Sequence, residues 1–311
     1  MSEQREAFAG ANTENRLGKC VLGKDFKNPV ILASGTVGFG REIAELYPLS
    51  KLGGIVSKGI TLEKRLGNAV PRIAEVKSGI LNFIGLQNPG VDAVISNEID
   101  FFTSQGTVSI ANICGNTVED YQQVADKLSQ TPVDLLELNI SCPNVKEGKG
   151  LAFGVEPKSV EMITEAVKPF CRQPLIVKLT PNISNIADNA KAAEAGGADA
   201  ISLTNTLAGM DIDYETGETF FGGLSGPAMM PVALRMTNGA YKAVKIPVIG
   251  MGGISDYKDA IKFMRAGASL VQVGTLNMTN PMAVPEIVEN MQRYFEEKGY
   301  KNTDDIIGQT K

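Results

Sequence analysis

Eight short apolar runs, each followed by an amphipathic stretch, constrain this chain more than any other feature. The runs fall at 30–33, 54–58, 108–113, 135–139, 175–179, 200–203, 248–251 and 270–273. Each is nearly continuous in aliphatic residues, the pattern of a parallel strand covered on both faces. Residues 117–129 place Val118, Tyr121, Val124, Ala125 and Leu128 at helical spacing. Residues 157–170 open on Pro157 at a first-turn position and carry Val160, Ile163, Ala166 and Val167. A cap-like Ser184 opens 184–195, which ends at Gly196-Gly197, and Ser255 opens 255–266, which ends at Gly267. Strand–helix alternation repeated eight times predicts a closed (β/α)8 TIM barrel. An open doubly wound sheet is the competing fold, but eight units suit closure and no GxGxxG opens the first helix.

Residues 1–16 are a polar lead with no apolar segment, so a secretory signal is not expected, and 17–311 read as one domain. Residues 17–28 suggest a hairpin, with Gly23-Lys24-Asp25 as its turn, placed to plug the bottom of the barrel. Long connections at 59–89 and 207–226 follow the second and sixth strands. Both lie on the C-terminal face, where barrels build their active sites, and long loops in a compact domain are usually functional.

Composition narrows the chemistry. The net charge is −5 over 311 residues, which argues against a nucleic-acid partner. No run of roughly 18 apolar residues occurs, so no membrane span is expected. Cys20, Cys114, Cys142 and Cys171 have no CxxC spacing, which reads as free thiols in a reducing cytoplasm. The chain has no histidine. The commonest general base and the commonest metal ligand are therefore missing, and no metal is expected.

Chemistry-bearing residues gather at strand ends. The fourth strand runs into Asn139-Ile140-Ser141-Cys142-Pro143-Asn144, and then a Gly/Lys-rich loop. A lone Cys is more often inert than reactive. Cys142, between two asparagines on a strand-end loop in a chain without His, is the strongest base candidate. Glycines follow the seventh and eighth strands at Gly252-Gly253 and Gly274, ahead of Thr275. Barrels bind phosphate in these two loops, and a Cβ there would block the oxygens. Lys58 closes the second strand, and Lys178 sits within an apolar run, costly without an anion. Snorkelling explains Lys58 equally well. Asn82, Asn112, Asn139, Asn144 and Asn205 lie at or after strand ends, where amides suit a planar heterocycle with alternating C=O and N–H.

Taken together, these stretches resemble the dihydroorotate dehydrogenase family. The resemblance runs from about Leu17 to Asn290 and is carried by Ala33-Ser34-Gly35-Thr36, Gly67-Asn68 with Pro71-Arg72, Asn82 to Gly90, Asn139 to Lys146, Val177 to Asn182, Gly222 to Ala228 and Gly250 to Ile254. Cys142, where the membrane-associated class carries serine, resembles the soluble class 1 enzymes. Val145-Lys146-Glu147-Gly148 and Ala152-Phe153-Gly154 resemble the NAD-linked (1B) catalytic subunit.

The resemblance implies one FMN per chain, contacted by Ser34, Lys58, Gly59, Asn112, Asn139, Lys178, Thr204, Gly226, Gly252, Gly253, Gly274 and Thr275. It implies dihydroorotate and orotate at Lys58, Asn82, Phe83, Ile84, Gly85, Leu86, Asn139, Asn144, Asn205 and Thr206. Phe83 stands where a smaller residue is common. In this chemistry Cys142 takes the proton from C5 while hydride passes from C6 to flavin N5, on the way to UMP. Electrons then pass to NAD⁺ through a partner carrying FAD and a [2Fe-2S] cluster, in a heterotetramer built on a homodimer. The alternatives are a fumarate-linked class 1A enzyme, a dihydropyrimidine dehydrogenase-like flavin domain, and a non-catalytic FMN-binding electron relay.

Overall fold

A computed structural model describes residues 15–141 and 153–310. Fourteen strands occur among them. They are β1 (Lys19–Val21), β2 (Lys24–Phe26), β3 (Val30–Leu32), β4 (Gly54–Val56), β5 (Ile73–Val76), β6 (Gly79–Asn82), β7 (Val108–Ile113), β8 (Leu135–Asn139), β9 (Leu175–Lys178), β10 (Ala200–Leu203), β11 (Leu207–Ile212), β12 (Thr219–Ser225), β13 (Val248–Met251) and β14 (Leu270–Val273). Eight of them close in the order β3-β4-β7-β8-β9-β10-β13-β14, parallel throughout, with helices between successive strands. This is a (β/α)8 TIM barrel, and its eight strands are the eight apolar runs.

Helix ends show local chemistry at work. The helix Val118–Ser129 starts with a capping box between Thr117 and Asp120. Pro157 opens Pro157–Val167, and a 3₁₀ turn, Lys168–Phe170, completes the expected segment. Two expected caps move by one residue. Asn185, not Ser184, caps Ile186–Ala195 by accepting from the Ala187 N–H, and Asp256, not Ser255, caps Tyr257–Arg265. Asn and Asp hold the N-terminal N–H groups at least as well as Ser, and here they stand one place nearer the first turn.

The barrel interior is layered by the two-residue period of its strands. The lower layer is Ile31, Val56, Ile110, Leu135, Ile176, Ala200, Ile249 and Leu270, packed with Val21 and Phe26 of the hairpin β1–β2. The hairpin thus plugs the N-terminal end, as expected. Its turn is Leu22-Gly23, both at positive φ, one place earlier than the sequence suggested. Two residues further along each strand stand Ala33, Lys58, Asn112, Glu137, Lys178, Ser202, Met251 and Gln272. The interior therefore turns from apolar to polar toward the C-terminal mouth.

The two long connections are not merely loops. The first contains β5 and β6, the second β11 and β12, and they pair as one antiparallel sheet in the order β11-β12-β6-β5. Asn82 aligns with Gly223 and Leu81 with Leu224, so the sheet stands over the C-terminal mouth and supplies one wall of the site.

Candidate functional site

A cavity of about 600 Å³ opens at the C-terminal mouth, bounded by strand ends and by the four-stranded sheet. That volume suits a cofactor together with a small substrate. Of the positions expected to hold a cofactor, Ser34, Lys58, Gly59, Asn139, Lys178, Thr204, Gly226, Gly252, Gly253, Gly274 and Thr275 line it. Of those expected for substrate, Asn82, Ile84, Gly85, Leu86, Asn205 and Thr206 line it as well as Lys58 and Asn139. Asn112 is fully buried and is not on the lining, although it shares an interior layer with Lys58 and Lys178. Phe83 is not on the lining: it is 38% exposed, while its N–H donates to the Arg72 carbonyl. Strand alternation turns it away from the face that Asn82 shares with the cavity. Cys142 and Asn144 lie outside the described residues.

One end of the cavity is built from backbone. Gly252 and Gly253 follow β13 with φ of 129° and 79°, values that L side chains rarely adopt. At Gly274 an added Cβ would find no atom nearer than 3.7 Å, because that face looks into the cavity. A bare backbone lets an oxyanion approach N–H groups closely, so this end suits a phosphate. The Thr204 hydroxyl, on the lining, is buried with no hydrogen-bond partner among the described residues. A buried polar atom left so is expected to meet a ligand or water.

The opposite end is a wired set of amides. Asn205 Nδ2 donates to Ser141 Oγ at 2.8 Å, and Ser141 Oγ donates to Asn139 Oδ1 at 2.7 Å. Asn139 Nδ2 donates to Asn112 Oδ1 at 3.2 Å, and Asn112 Nδ2 donates to Glu137 Oε1 at 2.7 Å. Every bond in this series points the same way, ending on a carboxylate that only accepts. The direction fixes each amide, and Asn139 keeps a second N–H that has no acceptor among the described residues. With the ammonium groups of Lys58 and Lys178, this end favours an anion rich in carbonyl oxygens.

Sequence reasoning missed several residues here. Glu137 was visible only as one charge in an apolar run. Ser202 and Gln272, which also donate to it, sit at interior positions of β10 and β14. Polar residues at every second place in otherwise apolar strands were the available signal. Tyr121 packs in the core as its helical spacing predicts, and its hydroxyl also donates to the Asn139 carbonyl at 2.9 Å, which the spacing does not show.

Comparisons with known proteins place the chain in a family. The family model described as dihydroorotate dehydrogenase matches residues 16–295. A protein of Petrotoga mobilis named dihydroorotate dehydrogenase B (NAD(+)), catalytic subunit, is 50% identical over 93% of this chain and 97% of its own. A protein of the same name from Alkaliphilus oremlandii is 52% identical over 95% of this chain and 99% of its own. Among solved structures, DHODH from Eimeria tenella in complex with ferulenol superposes with a TM-score of 0.82 at 23% identity, covering 96% of this chain and 89% of that one. That likeness speaks to the fold. Family model and relatives together span nearly the whole chain, which therefore belongs to the dihydroorotate dehydrogenase family.

Proposed function

We propose that this chain oxidises dihydroorotate to orotate in pyrimidine biosynthesis, as the catalytic subunit of an NAD-linked enzyme. The observation that carries the reading is a single cavity with two chemically distinct ends: bare glycine backbone at Gly252, Gly253 and Gly274, and directed amides with Lys178 at the other. The first suits the phosphate of FMN and the second a planar anion such as orotate. Thr204, with its unpartnered hydroxyl, fits a flavin edge passing between them. When bound, FMN supplies the hydride acceptor.

The chain's own residues supply the rest. Asn139 and Asn205 orient the carbonyl and carboxylate oxygens of the substrate. Lys178 holds positive charge at the floor of the cavity, where negative charge develops. Cys142 takes the proton from C5 of dihydroorotate. In sequence it follows Ser141, which is hydrogen-bonded to both Asn139 and Asn205.

The relatives' names speak of a catalytic subunit, which supports a partner that relays electrons to NAD⁺ through FAD and an iron–sulfur cluster, with a homodimer at the centre of a heterotetramer. No helix among the described residues is long and apolar enough to cross a membrane. The cytoplasm is the compartment we assign, on three described cysteines that are all free thiols.

The decisive experiment is anaerobic. The purified protein is expected to be yellow and to bleach on addition of dihydroorotate, but not of dihydrouracil. Reoxidation by NAD⁺ should require the partner subunit. Direct reoxidation by fumarate favours the fumarate-linked type, and a flavin that stays oxidised refutes the reading.

A further inference from the structure

Glu137 stands at the centre of the barrel with no solvent exposure, and the groups around it are donors. Its Oε1 accepts from Asn112 Nδ2 at 2.7 Å and faces Lys178 Nζ at 3.8 Å. Its Oε2 accepts from Ser202 Oγ at 2.8 Å and from Gln272 Nε2 at 2.9 Å. Donors from β7, β9, β10 and β14 thus converge on one carboxylate of β8. Lys178 has only 5% of its side chain exposed, yet it lines the cavity. Its ammonium faces a carboxylate on one side and the ligand space on the other. The carboxylate lowers the cost of burying that ammonium. It also cancels part of the positive potential that the cavity receives, because opposite charges a few ångströms apart act at a distance as a dipole.

We infer that Glu137 is a positioning residue: it holds Lys178 at the cavity floor and attenuates its charge, setting the reduction potential of a flavin bound there and the affinity for an anionic substrate. The inference rests on the flavin reading above. It assigns to a carboxylate that touches neither ligand a graded control over both.

The test is Glu137→Gln in the full chain with FMN bound. Glutamine keeps the shape, and its carbonyl oxygen accepts from Asn112. Its N–H group then faces Ser202 and Gln272. The Gln272 Oε1, now buried without a hydrogen-bond partner among the described residues, can take that N–H once the amide turns over. Charge is therefore removed with little loss of bonding. The flavin midpoint potential is expected to rise and the orotate Kd to fall roughly tenfold, the scale of a buried charge at short range. For a two-electron couple a tenfold change in equilibrium is about 30 mV.

Glu137→Asp keeps the charge and disturbs the packing, so its potential should stay with the wild type while its stability drops. A potential that is unchanged or lower in Glu137→Gln overturns the inference. If that variant does not fold, Lys178→Met and the double variant Glu137→Gln/Lys178→Met carry the same comparison. The double variant should have the higher potential, and equal potentials overturn the inference. A wild-type protein that holds no flavin, or whose flavin dihydroorotate fails to bleach, overturns the functional reading and this inference with it. Normal bleaching with unmoved potentials overturns the inference alone.

Discussion

The hydroxyl of Tyr121 donates to the carbonyl oxygen of Asn139 at 2.9 Å, inside the core. The same ring meets Phe153 edge-on, with centroids 6.1 Å apart. One aromatic side chain thus ties Asn139 to Phe153, which are 14 residues apart in the sequence. Gly154 adds to this, since an added Cβ would lie 2.5 Å from the Ile140 carbonyl oxygen. Tyr121→Phe keeps the ring contact and removes the hydrogen bond. It should cost about 1 kcal/mol of stability, read from urea unfolding, and weaken orotate binding through Asn139. Stability and affinity equal to the parent's would show that the bond contributes nothing.

Cys142→Ala removes the proposed base and leaves the amides in place. Flavin reduction by dihydroorotate, followed by stopped-flow, should slow by about 10²–10⁴-fold, the usual worth of a general base. Orotate should still perturb the flavin spectrum. Reduction at the parent's rate would rule out the assignment.

Gly274→Val tests where the phosphate sits. Gly274 has no left-handed φ, and the nearest atom to an added Cβ is Ala33 Cβ at 3.7 Å, so the chain accepts the side chain without backbone strain. The branches then fill the cavity. The variant should fold and unfold like the flavin-free parent, yet purify colourless. A yellow variant with the parent's flavin content places the phosphate elsewhere.

Asp134 links the plug to the barrel. Its Oδ1 accepts from Lys24 Nζ of β2 at 2.9 Å, and its Oδ2 accepts from the Ser109 N–H and hydroxyl, each at 2.9 Å. Partial burial opposes its charged form, but the Ser109 and Lys24 bonds outweigh that and hold the carboxyl below its ordinary value. A depressed folded-state value means the unfolded chain takes up the proton first. The stabilisation is therefore complete above the ordinary carboxylate value of about 3.9 and is lost as pH falls through the lower folded one. Asp134→Asn should cost about 1 kcal/mol in urea unfolding at pH 7, in line with a part-exposed hydrogen-bonded pair. The gap between variant and parent should close as the pH drops below 4. A gap that does not change with pH contradicts this account.

Much of the fold was legible because barrel strands are buried on both faces, which leaves their apolar runs unbroken. The antiparallel sheet was not. In β5 the residues alternate between exposed and half-buried, β11 is interrupted by Gly209 and Asp211, and β12 by Gly222 and Gly223, so none shows the unbroken apolar run of a barrel strand. β5 with β6 and β11 with β12 are local hairpins, but the two hairpins join through Asn82 and Gly223, 141 residues apart, which no local pattern encodes. At the site, the glycines and Lys178 announced themselves as exceptions to their surroundings. Glu137 did not, because its meaning lies in Ser202 and Gln272, 65 and 135 residues away. Phe83 is expected at the substrate because the resemblance carries the run 82–86 across whole, and only the alternation of the strand turns it outward.

The pairing of β6 with β12 gives the two long connections a common ruler. Asn82 lies opposite Gly223 and donates to its carbonyl at 3.1 Å, and Gly222 leaves no room for a side chain beside the Asn82 carbonyl. Slipping β6 by one residue exchanges the faces of all its side chains, which would turn Asn82 out of the cavity and Phe83 into it. The two segments, far apart in the chain, are therefore heritable only as a matched set. A graft of one of them from a relative should carry its register intact only when the other travels with it.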